Sequence, residues 1–313
     1  MNAFSHWLAT GVTVKASLAL GLLLAVVAVA PRAHAEEWTK SYTISGRAQV
    51  RVDTNDGAVQ IYTSDTKQVD FRVLYDGYEL NKTLHVDSKQ DGDSVEVNAR
   101  VSGHWGFSFG NNHRRVQIEV HMPKDADLQI DTGDGSVNTQ SLNGKVKIHT
   151  GDGSVRAQAV SGDVDIDSGD GSITVDGAKG DIRLRTGDGH IEARSLDGKV
   201  DALSGDGHIT LEGRLDGLTV KTGDGSIDAH LQAGSKVNSS WSVRTGDGSV
   251  DIVLPADLQA NIDASTNDGH ISLGIPVTVE GTFSNSQIHG KMNGGGQTVV
   301  IHTGDGSIRL SKS

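Results

Sequence analysis

The hexapeptide TGDGSV at residues 132–137 decides the fold, because it recurs every 18 residues along the chain. Identical or closely similar copies follow at 150–155, 168–173, 186–191, 204–209 and 222–227. Less regular copies lie at 54–59, 245–250, 266–271 and 303–308. Repetition at a fixed short period is the sequence signature of a solenoid or another repeat architecture.

A second glycine closes most repeats, as in LNGKV at 142–146, and the residues between the turns alternate in polarity. Val146 and Ile148 share one parity, whereas Lys147 and His149 share the other. This alternation predicts short strands that bury one face. In the GDG turn, glycine suits tight turn dihedrals, and the aspartate can accept hydrogen bonds from nearby backbone N–H groups.

Two all-β architectures fit this unit. In a parallel β-helix, or solenoid, each 18-residue unit is one coil, and equivalent residues stack about 4.8 Å apart. In an antiparallel meander or sandwich, the Asp-Gly turns would be hairpins. We favour the solenoid, because identical turns at an identical period suit a structure in which equivalent residues lie on one another.

The first 35 residues read as a secretory signal. An apolar run from Ala16 to Ala30 precedes Ala33-His34-Ala35, which fits an A-x-A cleavage site. The chain has no cysteine, which excludes disulfides and a lipid-modified cysteine anchor. These features predict an exported protein, either periplasmic or at the cell surface, with no transmembrane segment in the mature chain.

The full chain carries a formal net charge of −12. Removal of the signal, which contains Lys15 and Arg32 and no acidic residue, makes the mature chain more acidic still. Because the chain also lacks a basic stripe interleaved with aromatics, we expect no nucleic-acid partner. Cations, basic surfaces and glycans remain compatible with this charge.

The domain organisation follows the repeats. We expect a β-rich N-terminal cap over 36–125, because this segment has longer alternating runs and most of the aromatic residues. The regular GDG-repeat solenoid should cover 126–230, and 231–313 should be an irregular continuation that ends in a C-terminal cap.

Stacked coils would place the turn carboxylates in one column. Its members in the regular repeats are Asp134, Asp152, Asp170, Asp188, Asp206 and Asp224. Such a column would hold cations between its rungs, and calcium is the hard cation that carboxylates prefer. His190 and His208, one coil apart, are candidate ligands of a transition metal together with the neighbouring aspartates. The alternative for all of these residues is a solvated structural turn.

The stretch HWGFSFGNNHRR at 104–115 does not follow the repeat. Trp105, Phe107 and Phe109, with Arg114 and Arg115, are candidate partner-binding residues, because aromatics and arginine dominate interface energies. The alternative is a hairpin loop whose aromatics pack on the cap. The sequence contains no nucleophile elbow, P-loop, zinc-binding helix or dinucleotide fingerprint, so we expect no catalytic residues.

The passage VHMPKDADLQIDTGDGSV at 120–137 and the coils after it resemble the bacterial DUF4097 family of adhesin-type proteins, some of them LiaG-like. The resemblance implies a right-handed parallel β-helix. It also implies a non-enzymatic binding or structural protein of the cell envelope, whose partner would be an envelope or cell-surface protein or glycan. A periplasmic envelope-stress scaffold or sensor is the first alternative, and a carbohydrate-active β-helix enzyme is the second. The resemblance brings no cofactor and no site residues.

Overall fold

The computed structural model describes residues 36–102, 114–279 and 284–313. These residues form strands and turns and contain no helix, and so none that could cross a membrane. The strands, in chain order, are β1 (Glu36–Thr43), β2 (Ala48–Thr54), β3 (Ala58–Ser64), β4 (Gln68–Asp76), β5 (Leu84–Asp91), β6 (Ser94–Val101), β7 (Arg115–Pro123), β8 (Ala126–Thr132), β9 (Val137–Asn143), β10 (Val146–Thr150), β11 (Val155–Ser161), β12 (Val164–Ser168), β13 (Ile173–Thr186), β14 (Ile191–Ser204), β15 (Ile209–Lys221), β16 (Ile227–Leu231), β17 (Trp241–Thr245), β18 (Val250–Leu254), β19 (Ala260–Thr266), β20 (Ile271–Leu273), β21 (Thr278–Val279), β22 (Gln287–Met292), β23 (Thr298–Thr303) and β24 (Ile308–Lys312).

Each GDG turn separates two rows of stacked strands, which we call row 1 and row 2. Row 1 runs β5-β6-β2-β8-β10-β12, continues through the second halves of β13, β14 and β15, and ends β17-β23-β19-β22-β21. Row 2 runs β1-β4-β7-β3-β9-β11, continues through the first halves of β13, β14 and β15, and ends β16-β18-β24-β20. Successive coils pair in parallel with an 18-residue register, for example Val146 with Val164. The predicted parallel solenoid is therefore confirmed, and the meander is wrong.

The alternating residues bury the face that the pattern predicts. Val146, Ile148 and Thr150 are at most 1% exposed, while Lys147 and His149 point outward. One hydrophobic core extends from Ile44 to Leu310. Antiparallel pairs occur only near the ends of the described stack: β1–β4, β4–β7 and β5–β6 at one end, and β19–β22 and β21–β22 at the other.

The order of coils in space differs from their order in the chain at both ends. The coil of β2 and β3 lies between the coil of β6 and β7 and the coil of β8 and β9. At the other end, β23 and β24 lie between the coil of β17 and β18 and the coil of β19 and β20. The C-terminal coil is thus an interior coil, which the even spacing of the repeats did not indicate.

The turn motif is held together by its Thr or Ser hydroxyl. In the second copy, Gly153 N–H donates to Thr150 Oγ1 (3.1 Å), and that hydroxyl donates to the carbonyl of Gly135 in the preceding coil (3.2 Å). The same pair of bonds recurs at Ser168, Thr186 and Ser204. Thr222 makes the corresponding bond to the carbonyl of Gly207 (2.9 Å). The expected carboxylate acceptor is wrong for these turns, since the buried hydroxyl takes the N–H and the aspartate lies outside.

The glycines of the GDG turns are required for a different reason than the one expected. Their φ angles are not positive. Among the regular coils, positive φ occurs instead around the second turn, at glycines such as Gly162 (φ 126°) and also at residues such as Ala159 (φ 51°). A Cβ on Gly171 would lie 2.5 Å from the carbonyl carbon of Gly153 in the preceding coil. Close stacking of backbone on backbone therefore excludes a side chain there.

We expect Thr150→Val to lower the free energy of unfolding by about 1–3 kcal/mol. The isosteric change leaves the buried N–H of Gly153 without its acceptor, and one desolvated unpaired group costs about this much. Chemical denaturation measures the change. Thr150→Ser should retain most of the stability, because serine fills this position at 168 and 204. Thr174→Val, on the outer face, should have little effect, and an equal loss there would contradict this role of the hydroxyl.

The N-terminal end should lose stability in acid through Asp93. Backbone N–H groups of Gly46 and Ser45 lower the pKa of Asp93, and Ser45 N lies 2.8 Å from its Oδ1. A lowered pKa stabilises the fold above the unfolded value of about 4, and this contribution is lost as the pH falls through the folded pKa. Asp93→Asn should therefore be less stable than the parent at pH 7 and match it in strong acid. Thermal melts of the parent and the variant between pH 7 and strong acid measure this difference in stability. A difference that does not change with pH would contradict the contribution of the Asp93 carboxylate.

Candidate binding surfaces

The aspartates of the GDG turns form one exposed column along the solenoid. In spatial order the column is Asp56, Asp134, Asp152, Asp170, Asp188, Asp206, Asp224, Asp247, Asp305 and Asp268. Burial, followed by the charge of Asp134, raises the pKa of Asp56. Among the described residues, no group of three or more His, Asp or Glu side chains is arranged to hold a metal ion.

His190 and His208, the two candidate metal ligands, lie in adjacent coils but contact different partners. The backbone N–H of His208 donates to His190 Nδ1 (3.2 Å), while His208 Nε2 lies 3.0 Å from Asp228 Oδ2. The ring of His208 therefore faces row 2 of the next coil rather than the aspartate column. A shared metal site at His190 and His208 stays a prediction.

Removing one charge from the aspartate column tests whether the column binds cations. We expect Asp170→Asn to raise the melting temperature slightly in chelator, because it removes one charge from a row of like charges. If calcium bridges the rungs, the same variant should instead melt lower than the parent in millimolar calcium. Melts of both proteins with calcium and with chelator separate the two cases. Ser172→Ala, in the same turn, controls for the loss of a polar side chain.

The predicted partner-binding stretch lies largely outside the described residues, which exclude Trp105, Phe107 and Phe109. Its two arginines are described at the N-terminal end of the stack. Arg114 lies over the ring of Tyr78, 5.6 Å from the ring centre, and Arg115 donates to Gln117 (2.7 Å). Both arginines therefore contact this chain's own side chains.

The outer face of row 1 carries charges that alternate in sign from coil to coil. Lys147, Asp165, Arg183 and Asp201 are consecutive members of one register column. Arg183 lies between its neighbours, 4.0 Å from Asp165 and 3.6 Å from Asp201. A shallow groove of about 400 Å³ follows this column and is also lined by Lys145, Asp163 and Asp181. Lys145 also lies 3.8 Å from Asp163, so part of the charge on this face is neutralised within the chain.

The outer face of row 2 has a different chemistry where β3 meets β9. The two strands pair at only two positions, Val59 with Val137 and Gln60 with Asn138, whereas β9 and β11 pair at six. A cleft of about 190 Å³ opens beyond Gln60. Sequence reasoning missed this cleft, because it depends on two segments that are separated by almost 80 residues and have no unusual motif.

The side chains around this cleft, which we call the β3–β9 cleft, are mostly uncharged. They are Gln60, Ile61, Tyr62, Asn138, Thr139, Gln140, Arg156 and Gln158. The Tyr62 ring stacks on His121 of β7, with ring centres 4.9 Å apart and planes at 19°. Thr139 is 2% exposed, and its hydroxyl has no hydrogen-bond partner among the described residues.

The Toastrack DUF4097 family model matches residues 47–311. Three solved structures are similar over most of the chain. A "putative adhesin" from Parabacteroides merdae is 14% identical, with 88% of this chain and 96% of that chain covered and a TM-score of 0.46. A "putative cell adhesion protein" from Clostridium sporogenes is 14% identical, with 89% and 100% covered and a TM-score of 0.28. A "putative lipid binding protein" from Parabacteroides distasonis is 12% identical, with 88% and 96% covered and a TM-score of 0.38. No curated protein is significantly similar to the chain.

Proposed function

The chain belongs to the Toastrack DUF4097 family, and from this premise we propose that it is an exported, non-enzymatic binding protein of the bacterial cell envelope. The observation that carries the proposal is the pair of long outer faces, on which polar side chains recur at every coil of a continuous parallel stack. A rigid repetitive face can hold a repetitive partner by many weak contacts, whose combined strength exceeds that of each contact.

Export is supported by the apolar run and the A-x-A sequence before Glu36. The absence of cysteine is compatible with an oxidising compartment, because the fold depends on backbone pairing and core burial instead. A binding role is supported by the grooves of the described residues, which are open and lined mainly by charged side chains on row 1 and by amides on row 2.

The test has two parts. Protease treatment of intact cells, followed by blotting, should remove the mature protein if it is displayed on the surface, whereas protection until the envelope is opened would place it in the periplasm. Either result agrees with export, and a protein that keeps residues 1–35 and stays with the cytoplasm would contradict it. The purified mature chain should also sediment with isolated envelope fragments, and the fraction that sediments should depend on the salt concentration. Failure to sediment at low salt would overturn the binding role.

A further inference from the structure

The β3–β9 cleft results from a local failure of strand pairing. Beyond Gln60 the ladder ends, and the strands are bridged by Thr63, whose hydroxyl lies 3.1 Å from the carbonyl of Gln140 and 2.8 Å from that of Ser141. Thr139 and Ile61 are buried on the inner face of their strands, so the cleft presents the outward side chains of the neighbouring residues. These are Gln60, Tyr62, Asn138 and Gln140, together with Arg156 and Gln158 of the next coil.

Tyr62 gives the cleft an aromatic wall. Because β3 lies between β7 and β9, His121 of β7 covers the ring from one side and the cleft lies on the other. The phenol hydroxyl donates to Gln60 Oε1 (2.5 Å), which fixes the ring in place. An aromatic ring held in this way has a large apolar surface beside polar groups.

The opposite wall offers hydrogen-bonding groups that are not otherwise engaged. The side chains of Asn138, Gln140, Gln158 and Arg156 make no hydrogen bond or ion pair with the described residues. An amide presents both donors and an acceptor, and a guanidinium presents a fork of donors. Arg156 is the one charged side chain among the described residues that line the cleft, so no carboxylate there repels an acidic ligand.

This combination suits a sugar ring. The C–H face of a pyranose packs on an aromatic ring, while its neighbouring hydroxyls need both donors and acceptors, which amides supply. The volume of about 190 Å³ suits one such ring. A phosphate would meet a single cation, and an added peptide strand would find a short edge that the hydroxyl of Thr63 already bridges.

We propose that the β3–β9 cleft binds one pyranose unit of a glycan, with Tyr62 as the stacking platform, the amides as hydrogen-bonding partners, and Arg156 favouring a uronic acid over a neutral sugar. The inference rests on the proposed function and gives its partner a chemical class. The remaining coils of row 2 then position the rest of the glycan along the outer face.

The experiment uses the mature chain and trisaccharides of glucose, galactose, N-acetylglucosamine and galacturonic acid, with saturation-transfer NMR and titration as readouts. We expect at least one trisaccharide to bind with a Kd of about 1 mM, as befits a small site.

Tyr62→Ala should weaken that binding at least tenfold, whereas Tyr62→Phe should keep it, because the ring remains. Arg156→Gln should remove the preference for the acidic sugar. Thr174→Ala, on the same face outside the cleft, is the control, and thermal melts show that each variant is folded.

The outcomes separate the inference from the proposed function. Binding of no trisaccharide by the parent, or unchanged binding by folded Tyr62→Ala, would overturn the sugar site. If the parent and Tyr62→Ala both sediment with envelope fragments while no sugar binds, the envelope role stands and the cleft assignment fails. If a trisaccharide binds through Tyr62 but the protein does not sediment with envelope, the sugar site stands and the envelope role fails.

Discussion

A chain that ends at Gln297 is expected to lose its C-terminal coils, even though only the last turn and two strands are removed. β23 pairs with β17 on one side and β19 on the other, and β24 pairs with β18 and β20. Val299, Ile301, Ile308 and Leu310 are at most 1% exposed. Burial of such side chains contributes about 1.5–3 kcal/mol each, so the deletion removes at least about 6 kcal/mol before the lost ladders are counted. This is comparable to the whole stability of a typical domain.

Circular dichroism melts and urea titrations of the truncated chain measure this loss. The matched control is deletion of residues 36–43, which removes β1, a strand that pairs only with β4 at the margin of row 2. Removal of this edge strand should cost much less, since the parallel stack stays continuous. Equal loss in the two deletions, or an unchanged midpoint on truncation after Gln297, would show that the C-terminal coil does not hold the stack together.

The sequence predicted the coil but not the order of the coils. The 18-residue period and the parity of Val146 and Ile148 determined strand length, buried face and register, because these properties repeat locally. Which coils lie next to each other at the ends of the stack depends on contacts between distant segments, such as that of Val299 with Trp241. Similar coils present nearly identical edges, so a local pattern cannot distinguish one neighbour from another.

Of the candidate sites, the sequence likewise indicated only the one that follows from the local repeat. The aspartate column follows from the repeat alone and lies where stacking places it, at the exposed turn. The β3–β9 cleft does not follow from the repeat, because the ladder ends after Gln60 and Asn138 without any sign in the sequence pattern of either strand. The sequence identified the turn glycines, but it attributed them to turn dihedrals that these glycines do not have. Contact with the preceding coil requires them, and this contact exists only after stacking.

Gly171→Ala should therefore be among the most destabilising single substitutions in the protein, at about 3 kcal/mol. Gly171 is buried in the middle of the stack, and an added Cβ would collide with the Gly153 carbonyl group and lie 2.8 Å from Ser168 Oγ. The Ser168 hydroxyl donates to the Gly153 carbonyl and accepts from the N–H of Gly171. Neither the carbonyl nor the hydroxyl can move away from an added Cβ without breaking these bonds. Overpacking in a rigid interior costs about 1–3 kcal/mol and occasionally more.

The comparison with Gly274→Ala tests this steric explanation directly. A Cβ at Gly274 would lie 3.3 Å from the nearest atom, the carbonyl oxygen of Leu310, beside the short edge strand β20, which has room to shift. We expect a loss of less than about 1 kcal/mol there, so that the melting temperatures of the two variants differ by several degrees, at about 2–4 °C for each kcal/mol in a chain of this size. Similar melting temperatures for the two variants would mean that alanine is disfavoured equally at any glycine of this chain. In that case collision with the preceding coil would not explain the repeated GDG.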